Sequence, residues 1–163
     1  MKLNLWSGEM FRDADQAIRF AFRMRDKSIV SKMRLLERDT PSSTATDRLT
    51  AYDFHAMSGM LFAFLMRCTK EQQAAVYLLY GNEYEKKVAA RIICYAEGIR
   101  LPKHIKNRTQ LRQALLSKTV RDCADKTGLT AYKAWKVRRE MWNIVEPILW
   151  KLHEDLERWL KLE

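Results

Sequence analysis

The segment from Thr119 to Glu140, which reads TVRDCADKTGLTAYKAWKVRRE, places the strongest constraint on the fold of this chain. Ala124 is followed four residues later by Gly128, and Thr130 comes next in a position to cap another helix. A small residue where two helices cross and a glycine for a left-handed turn are typical of a helix-turn-helix. No proline interrupts this segment. It therefore predicts two helices joined by a tight turn.

Six positions of this unit are predicted to face inward: Cys123, Ala124, Thr127, Leu129, Ala134 and Val137. Four of these six are plainly apolar, and a cysteine behaves as a small apolar residue. An ordinary helical hairpin would produce the same spacing by accident. The pattern alone therefore leaves two interpretations open, a DNA-binding unit and a purely structural one.

The distribution of charge favours the DNA-binding interpretation. The formal net charge is +10, and the segment 100–140 contains twelve basic and three acidic residues, so nine of the ten excess charges fall there. A cationic block centred on a helix-turn-helix pattern is the expected footprint of a nucleic-acid-binding face. The alternative is a solvated basic surface that binds polyanions only loosely.

We predict that the outer side of the second helix meets DNA. Thr130 caps this helix, its first exposed residues and Lys136 are expected to approach base edges, and flanking cations are expected to meet phosphates. Trp135 lies on the outer side by count and is expected either to stack at the DNA or to pack on the C-terminal helix. The predicted DNA-binding residues are Lys118, Arg121, Thr130, Ala131, Tyr132, Lys133, Trp135, Lys136, Arg138 and Arg139.

The rest of the chain has a helical period throughout, which predicts an all-α fold. Residues 1–40 are predicted to form an N-terminal helical arm, either one helix or two broken near Ser28, with Phe11, Ala14, Ile18 and Phe22 on one face. A loop rich in serine and threonine supplies a linker at 41–49. Residues 50–163 are predicted to form a compact helical body, with the helix-turn-helix at about 118–140 and a long C-terminal helix.

Capping signals divide the predicted body into helices. Thr50 opens one helix, which contains the nearly uncharged stretch 56–66; this stretch is too short to span a bilayer and predicts a buried helix. A capping box, Thr69 to Gln72, opens the next helix, which Gly81 ends. The helices that follow are predicted over about 83–97, burying Val88, Ala89, Ile92 and Ile93, and over about 109–116.

The C-terminal helix carries an apolar seam with alternating steps of three and four residues: Trp142, Val145, Leu149, Leu152, Leu156 and Trp159. Pro147 lies within the seam, so the sequence predicts a new start or a kink there. The seam favours packing on the protein's own core; docking of a partner or self-association is the functional alternative.

The sequence nominates no catalytic residue, cofactor or metal site, and the chain is not predicted to be an enzyme. The three histidines are scattered, and neither a glycine-rich phosphate loop nor a nucleophile elbow is present. Asp122 and Asp125 lie three residues apart, a spacing that is more typical of solvated carboxylates than of a metal pair. Three unpaired cysteines and an N-terminal stretch without a signal-peptide pattern indicate a protein of the reducing cytoplasm, with no membrane association.

Three stretches together resemble a known family: MKLNLWSGEM at the start, LTAYDFHAMSGML after the Ser/Thr loop, and TGLTAYKAWKVRREMW near the end. They are similar to the Q-type late-gene antitermination proteins of lambdoid phages, and most of all to the compact, zinc-free kind from phage 21. Family members with a cysteine-rich zinc module do not match, because this chain lacks that cysteine set.

The resemblance implies a sequence-specific transcription antitermination factor of the host bacterial cytoplasm. Proteins of this type bind double-stranded DNA at the late promoter, engage the paused RNA polymerase holoenzyme, and travel with it at the RNA exit channel to suppress pausing and termination. Four basic residues then become candidates for a surface facing nascent RNA or polymerase: Arg100, Lys103, Lys106 and Arg108. Two alternatives remain open: a dimeric helix-turn-helix repressor or activator, and a structural or RNA-binding helical protein.

Overall fold

The computed structural model describes residues 11–25 and 51–161 of the chain, and these residues form helices without any β-strand. The all-α prediction is therefore confirmed over the described part of the chain. The helices are α1 (Ala14–Arg25), α2 (Ala51–Arg67), α3 (Lys70–Tyr80), α4 (Glu83–Cys94), α5 (Arg108–Leu116), α6 (Val120–Thr127) and α7 (Ala131–Leu160).

Side-chain caps fix where several of these helices begin. The predicted capping box of α3 is confirmed: the Gln72 N–H donates to Thr69 Oγ1 at 3.2 Å, and the Thr69 N–H donates to Gln72 Oε1 at 3.0 Å. Asn82 and Glu85 form a second capping box at the start of α4. Such caps satisfy backbone N–H groups that have no partner inside the helix.

The chain divides into two compact units, and the first contains α1, α2 and the residues from Asp155 onward. Within it α1 packs on α2, with the Phe22 and Phe62 rings 5.1 Å apart between centroids. The Ser58 hydroxyl donates to the Ala21 carbonyl oxygen at 3.1 Å, which satisfies a buried polar side chain. The predicted apolar face of α1 is confirmed, because Phe11, Ala14, Ile18 and Phe22 are all buried.

The second unit spans Cys68–Glu154 and contains α3 to α6 and most of α7. Consecutive helices from α3 to α6 pack on one another. One apolar cluster joins α4, the loop that follows it, α5, α6 and α7. Its buried residues are Cys94, Ile105, Leu111, Ala114, Cys123, Ala134, Val137 and Met141. The helix-turn-helix is thus built onto a shared core rather than standing alone.

In this division α2 groups with α1 and not with the helices that follow it. The predicted linker at 41–49 and the possible break near Ser28 lie outside the described residues. None of the helices in the part of the chain that the structure describes is long and apolar enough to cross a membrane.

The predicted buried face of α4 is partly wrong. Val88 is 42% exposed and Ile92 is half-buried, whereas Ala89, Ala90, Ile93 and Cys94 are buried. The helix also ends at Cys94, earlier than predicted. The helices α3 and α4 pack on each other, and both bury small residues: Ala74 and Ala75 on α3, and Ala89 and Ala90 on α4. Small side chains allow two helices to approach closely, which favours alanine over valine on the buried side.

The prediction of a buried helix over 56–66 is also only partly correct. Met57, Ser58, Leu61 and Leu65 are buried, but Met66 is 72% exposed. The stretch therefore belongs to a helix that is buried on one side only and whose exposed side also carries apolar residues, such as Met60 and Met66.

The C-terminal seam is confirmed in its centre and wrong at its ends. Val145, Leu149, Leu152 and Leu156 are buried, whereas Trp142 is 46% and Trp159 is 38% exposed. Met141 and Leu160 take the buried end positions instead. Pro147 lies inside α7 without interrupting it, so the predicted new start at this proline does not occur.

Candidate nucleic-acid interface

The first helix of the candidate site, α6, is held at its N-terminus by two side chains. The Asp122 N–H donates to Thr119 Oγ1 at 3.1 Å, and the Lys118 N–H donates to Asp122 Oδ2 at 2.9 Å. The backbone N–H of Lys118 and the ammonium group of Lys126 lower the pKa of the Asp122 carboxyl below its usual value of 3.8. Asp122 therefore acts as a charged cap of α6, a role that the sequence interpretation did not give it.

The turn after α6 has the geometry that the glycine predicted. Gly128 has φ 72° and ψ 13°, in the left-handed region, and its N–H donates to the Ala124 carbonyl oxygen at 2.9 Å. A Cβ built on Gly128 would meet nothing within 4 Å, so the glycine is required by the backbone angle and not by a close approach of helices. The Gln110 side chain on α5 donates to the Thr127 carbonyl oxygen at 2.8 Å. This hydrogen bond connects the turn to α5.

The second helix of the site, α7, begins where the pattern predicts. The Ala134 N–H donates to the Thr130 carbonyl oxygen at 2.8 Å, and the Lys133 N–H lies 3.4 Å from Thr130 Oγ1. Ala134 and Val137 are fully buried, and Ala124 and Leu129 pack against the same apolar cluster. The buried side of this helix thus fixes which residues point away from the protein.

The outer face of α7 carries two aromatic rings with cations laid over them. Tyr132 is 63% and Trp135 is 46% exposed, and their rings stack with centroids 6.4 Å apart. Lys136 Nζ lies 4.7 Å from the centre of the Tyr132 ring, and the Arg139 guanidinium lies 5.6 Å from that of Trp135. Cation–π contacts of this kind restrain long side chains without neutralising their charge. We call these four residues the α7 outer face.

Other predicted DNA-binding residues are exposed but differ in their partners. Ala131 and Lys133 lie exposed in the first turn of α7, and Arg121 is exposed on α6. The Lys118 ammonium lies 3.4 Å from the Glu83 carboxylate, with both side chains 77% exposed. An ion pair that is this exposed contributes little free energy, so Lys118 remains accessible to another anion.

Arg138 differs from the outward-facing cation that was expected. Its guanidinium donates to the carbonyl oxygens of Ser117 at 2.9 Å and Lys118 at 3.3 Å, just after the end of α5. The residue is half-buried. Its guanidinium therefore links α7 to the α5–α6 turn.

The four cations proposed to face RNA or polymerase lie in or next to the loop between α4 and α5, and all are exposed. Pro102 and Ile105 are buried and anchor this loop. Arg108 has a structural contact, since its guanidinium donates to the Cys94 carbonyl oxygen and lies 5.2 Å from the centre of the Tyr95 ring. The freely presented cations of this set are Arg100, Lys103 and Lys106.

Two observations on the described residues concern thiol reactivity and metal binding. Burial raises the pKa of the Cys94 thiol to about 11, although Arg112 and Arg108 oppose this, so the thiol stays protonated. Among residues 11–25 and 51–161, no group of three or more histidine, cysteine or acidic side chains is arranged to hold a metal ion. The candidate site itself is a charged and aromatic surface.

Comparison with known proteins returned no match: no family model, no curated protein sequence and no solved structure is similar to this chain. The assignment of a function consequently depends on the site itself and on the sequence motifs already described.

Proposed function

We propose that this protein is a sequence-specific DNA-binding transcription antitermination factor. The observation that carries the DNA-binding part is the outer face of α7, where Tyr132, Trp135, Lys136 and Arg139 are presented together by a helix whose opposite side is buried. A helix that presents cations and planar side chains away from its core is suited to a DNA groove, where cations meet phosphates and side chains meet base edges.

The geometry refines the set of residues in this proposal. Tyr132, Lys133 and Lys136 are assigned to base edges, and Arg121 and Arg139 to phosphates. Trp135 is assigned to a flat contact with a deoxyribose or a thymine methyl group. Arg138 is given a structural role, because its guanidinium already bonds two backbone carbonyl oxygens.

The antitermination part rests on the resemblance to Q-type proteins and on the second set of cations. In this proposal DNA contact loads the protein onto a paused RNA polymerase holoenzyme in the bacterial cytoplasm. Arg100, Lys103 and Lys106 then meet nascent RNA or polymerase. Contacts of this second kind depend on salt and tolerate any sequence.

DNA binding is tested first with duplexes selected from a random library by the full-length protein. We expect Lys136→Ala combined with Arg139→Ala to weaken binding of the selected duplex by at least about tenfold at moderate salt. The matched control is Lys70→Ala combined with Lys151→Ala, which removes two exposed lysines away from this surface. Unchanged binding in the double variant would refute the assignment of this surface.

Antitermination is tested by transcription in vitro from a template that carries the selected duplex at a promoter and a terminator downstream. Added protein is expected to increase full-length read-through. If the protein binds this promoter but only blocks initiation, the chain is a repressor and the proposal is wrong.

A further inference from the structure

A groove in the second unit has an apolar lining that DNA binding does not use. It has a volume of about 450 Å³ and is lined by residues of α3, α4, α5, α6 and α7 and of the α5–α6 turn. Its apolar lining includes the half-buried Leu78, Leu79, Leu115 and Leu116 and the exposed Trp142. We call it the lysine-rimmed groove, for the reason that follows.

The rim of this groove is strongly cationic. Four lysines, Lys86, Lys87, Lys118 and Lys126, line it together with Arg138, and Glu83 is the one acid among the lining residues. Lys118 faces Glu83, and Lys126 lies 3.1 Å from the Asp122 carboxylate. Lys86 and Lys87 have no ionic partner among the described residues, so their charge is uncompensated.

The groove lacks the fixed polar groups that orient a small ligand. The Ser117 hydroxyl donates to the Ala114 carbonyl oxygen, and the Arg138 guanidinium donates to Ser117 and Lys118. Small-molecule sites usually hold a few precisely placed donors and acceptors among apolar walls. Here the free polar groups are ammonium ions on long flexible stems, which suit a broad acidic surface better than one functional group.

The lining also argues against nucleic acid as the occupant. Binding of single strands relies on aromatic rings on which successive bases stack, and this groove offers one ring, Trp142, among aliphatic side chains. Leucine, methionine and valine side chains are instead the usual lining of grooves that accept the apolar face of a helix.

We propose that the lysine-rimmed groove binds an acidic amphipathic helix of a partner protein. Apolar side chains of that helix enter between the leucines and Trp142, and its flanking carboxylates meet Lys86 and Lys87. The charge complementarity speeds encounter and selects acidic partners, while burial of the apolar side chains supplies most of the affinity. This function goes beyond DNA binding and does not depend on it.

The test uses the full-length protein and a fluorescent synthetic peptide of about four helical turns, with leucine at helical spacing and glutamate elsewhere. Fluorescence anisotropy is expected to report saturable binding that weakens as salt is added. A peptide with lysine in place of glutamate, and a scrambled peptide of the same composition, are expected to bind at least about tenfold more weakly.

Variants with matched controls locate the site. Lys87→Glu is expected to weaken binding of the acidic peptide by at least about fivefold, and Lys151→Glu, on an exposed lysine outside the groove, by much less. Trp142→Ala is expected to weaken binding by about tenfold, and Trp150→Ala, which removes a 62% exposed tryptophan outside the groove, to have little effect. Thermal melts establish that each variant is folded.

Several results would overturn the proposal. These are no binding of the acidic peptide, equal binding of the lysine peptide, or equal effects of the groove variants and their controls. A single-stranded RNA whose binding depends on both Lys87 and Trp142 would also overturn it, because the occupant would then be a nucleic acid. Loss of DNA binding in the α7 outer-face variants bears only on the proposed function and leaves this test unaffected.

Discussion

At the scale of single residues, two glycines serve different physical purposes. Gly128 has φ 72°, and the space around it is open. Gly81 has an ordinary φ of −71°, but a Cβ there would lie 2.5 Å from the Tyr77 carbonyl oxygen and 2.9 Å from the Glu85 Cβ. The first position therefore excludes side chains through backbone strain, and the second excludes them through lack of room.

Thermal melts of four variants can separate these two causes. Gly128→Val is expected to destabilise the protein by about 1–2 kcal/mol or more, and Gly128→Asn by clearly less, because asparagine tolerates the left-handed region. At Gly81 the limit is space and not backbone angle, so asparagine has no advantage there. Gly81→Asn is expected to lower the stability of the protein at least as much as Gly81→Ala. Equal losses for valine and asparagine at Gly128 would contradict the strain argument.

The neighbouring residues Arg138 and Arg139 on α7 are expected to have different functions, one in stability and the other in DNA binding. Arg138→Ala removes donors to two carbonyl oxygens and should lower stability by about 1–2 kcal/mol. Arg139→Ala removes an exposed cation and should weaken DNA binding with little change in stability. Urea melts and mobility-shift assays of both variants make the comparison. The assignment fails if the stability loss occurs in Arg139→Ala instead.

At the scale of elements, the end groups of α6 decide where the site begins and ends. Thr119 and Asp122 cap its N-terminus, and Gly128 closes its C-terminus with a bond to the Ala124 carbonyl oxygen. A helix this short is not stable alone, so these caps and the buried Cys123 hold it in place. Cys123 of this short helix shares an apolar cluster with Ala134 and Val137, which lie on the buried side of α7.

The cap of α6 should make stability depend on pH in a defined direction. The folded-state pKa of Asp122 is lower than 3.8, so its carboxylate stabilises the fold above that pH, and the contribution is lost as pH falls through the lowered value. The native protein is expected to be more stable than Asp122→Asn at neutral pH, and the difference should shrink in strong acid. Urea melts of both proteins across about pH 2–7 measure the difference in their free energies of unfolding. A difference that does not change with pH would show that the charge of Asp122 does not stabilise the cap.

At the scale of the whole molecule, the cations of the α4–α5 loop and those of α7 are proposed to act at different steps. Arg100, Lys103 and Lys106 are exposed, but the loop that carries them is anchored by the buried Pro102 and Ile105. An ordered loop presents its charges at a fixed position, which a polyanion or a protein surface can use. DNA loading and persistence on polymerase should therefore be separable by mutation.

The triple variant Arg100→Ala, Lys103→Ala and Lys106→Ala tests this separation. Read-through at the terminator is expected to fall severalfold, while binding of the selected duplex stays within about threefold of the native protein. A matched triple variant, Lys70→Ala, Arg91→Ala and Lys151→Ala, removes equally exposed cations elsewhere and should retain read-through. If both triple variants lose read-through equally, the effect is one of net charge alone.

The sequence by itself determined the helical class, the capping box at Thr69 and the left-handed turn at Gly128. Each of these depends on neighbours a few residues apart, so local chemistry suffices. The tertiary structure alone decided that Arg138 bonds the α5–α6 turn, that α4 buries alanines in place of Val88, and that Trp142 lines a lysine-rimmed groove. These outcomes depend on which helices meet and how closely, and such long-range packing leaves no fixed spacing in a single sequence.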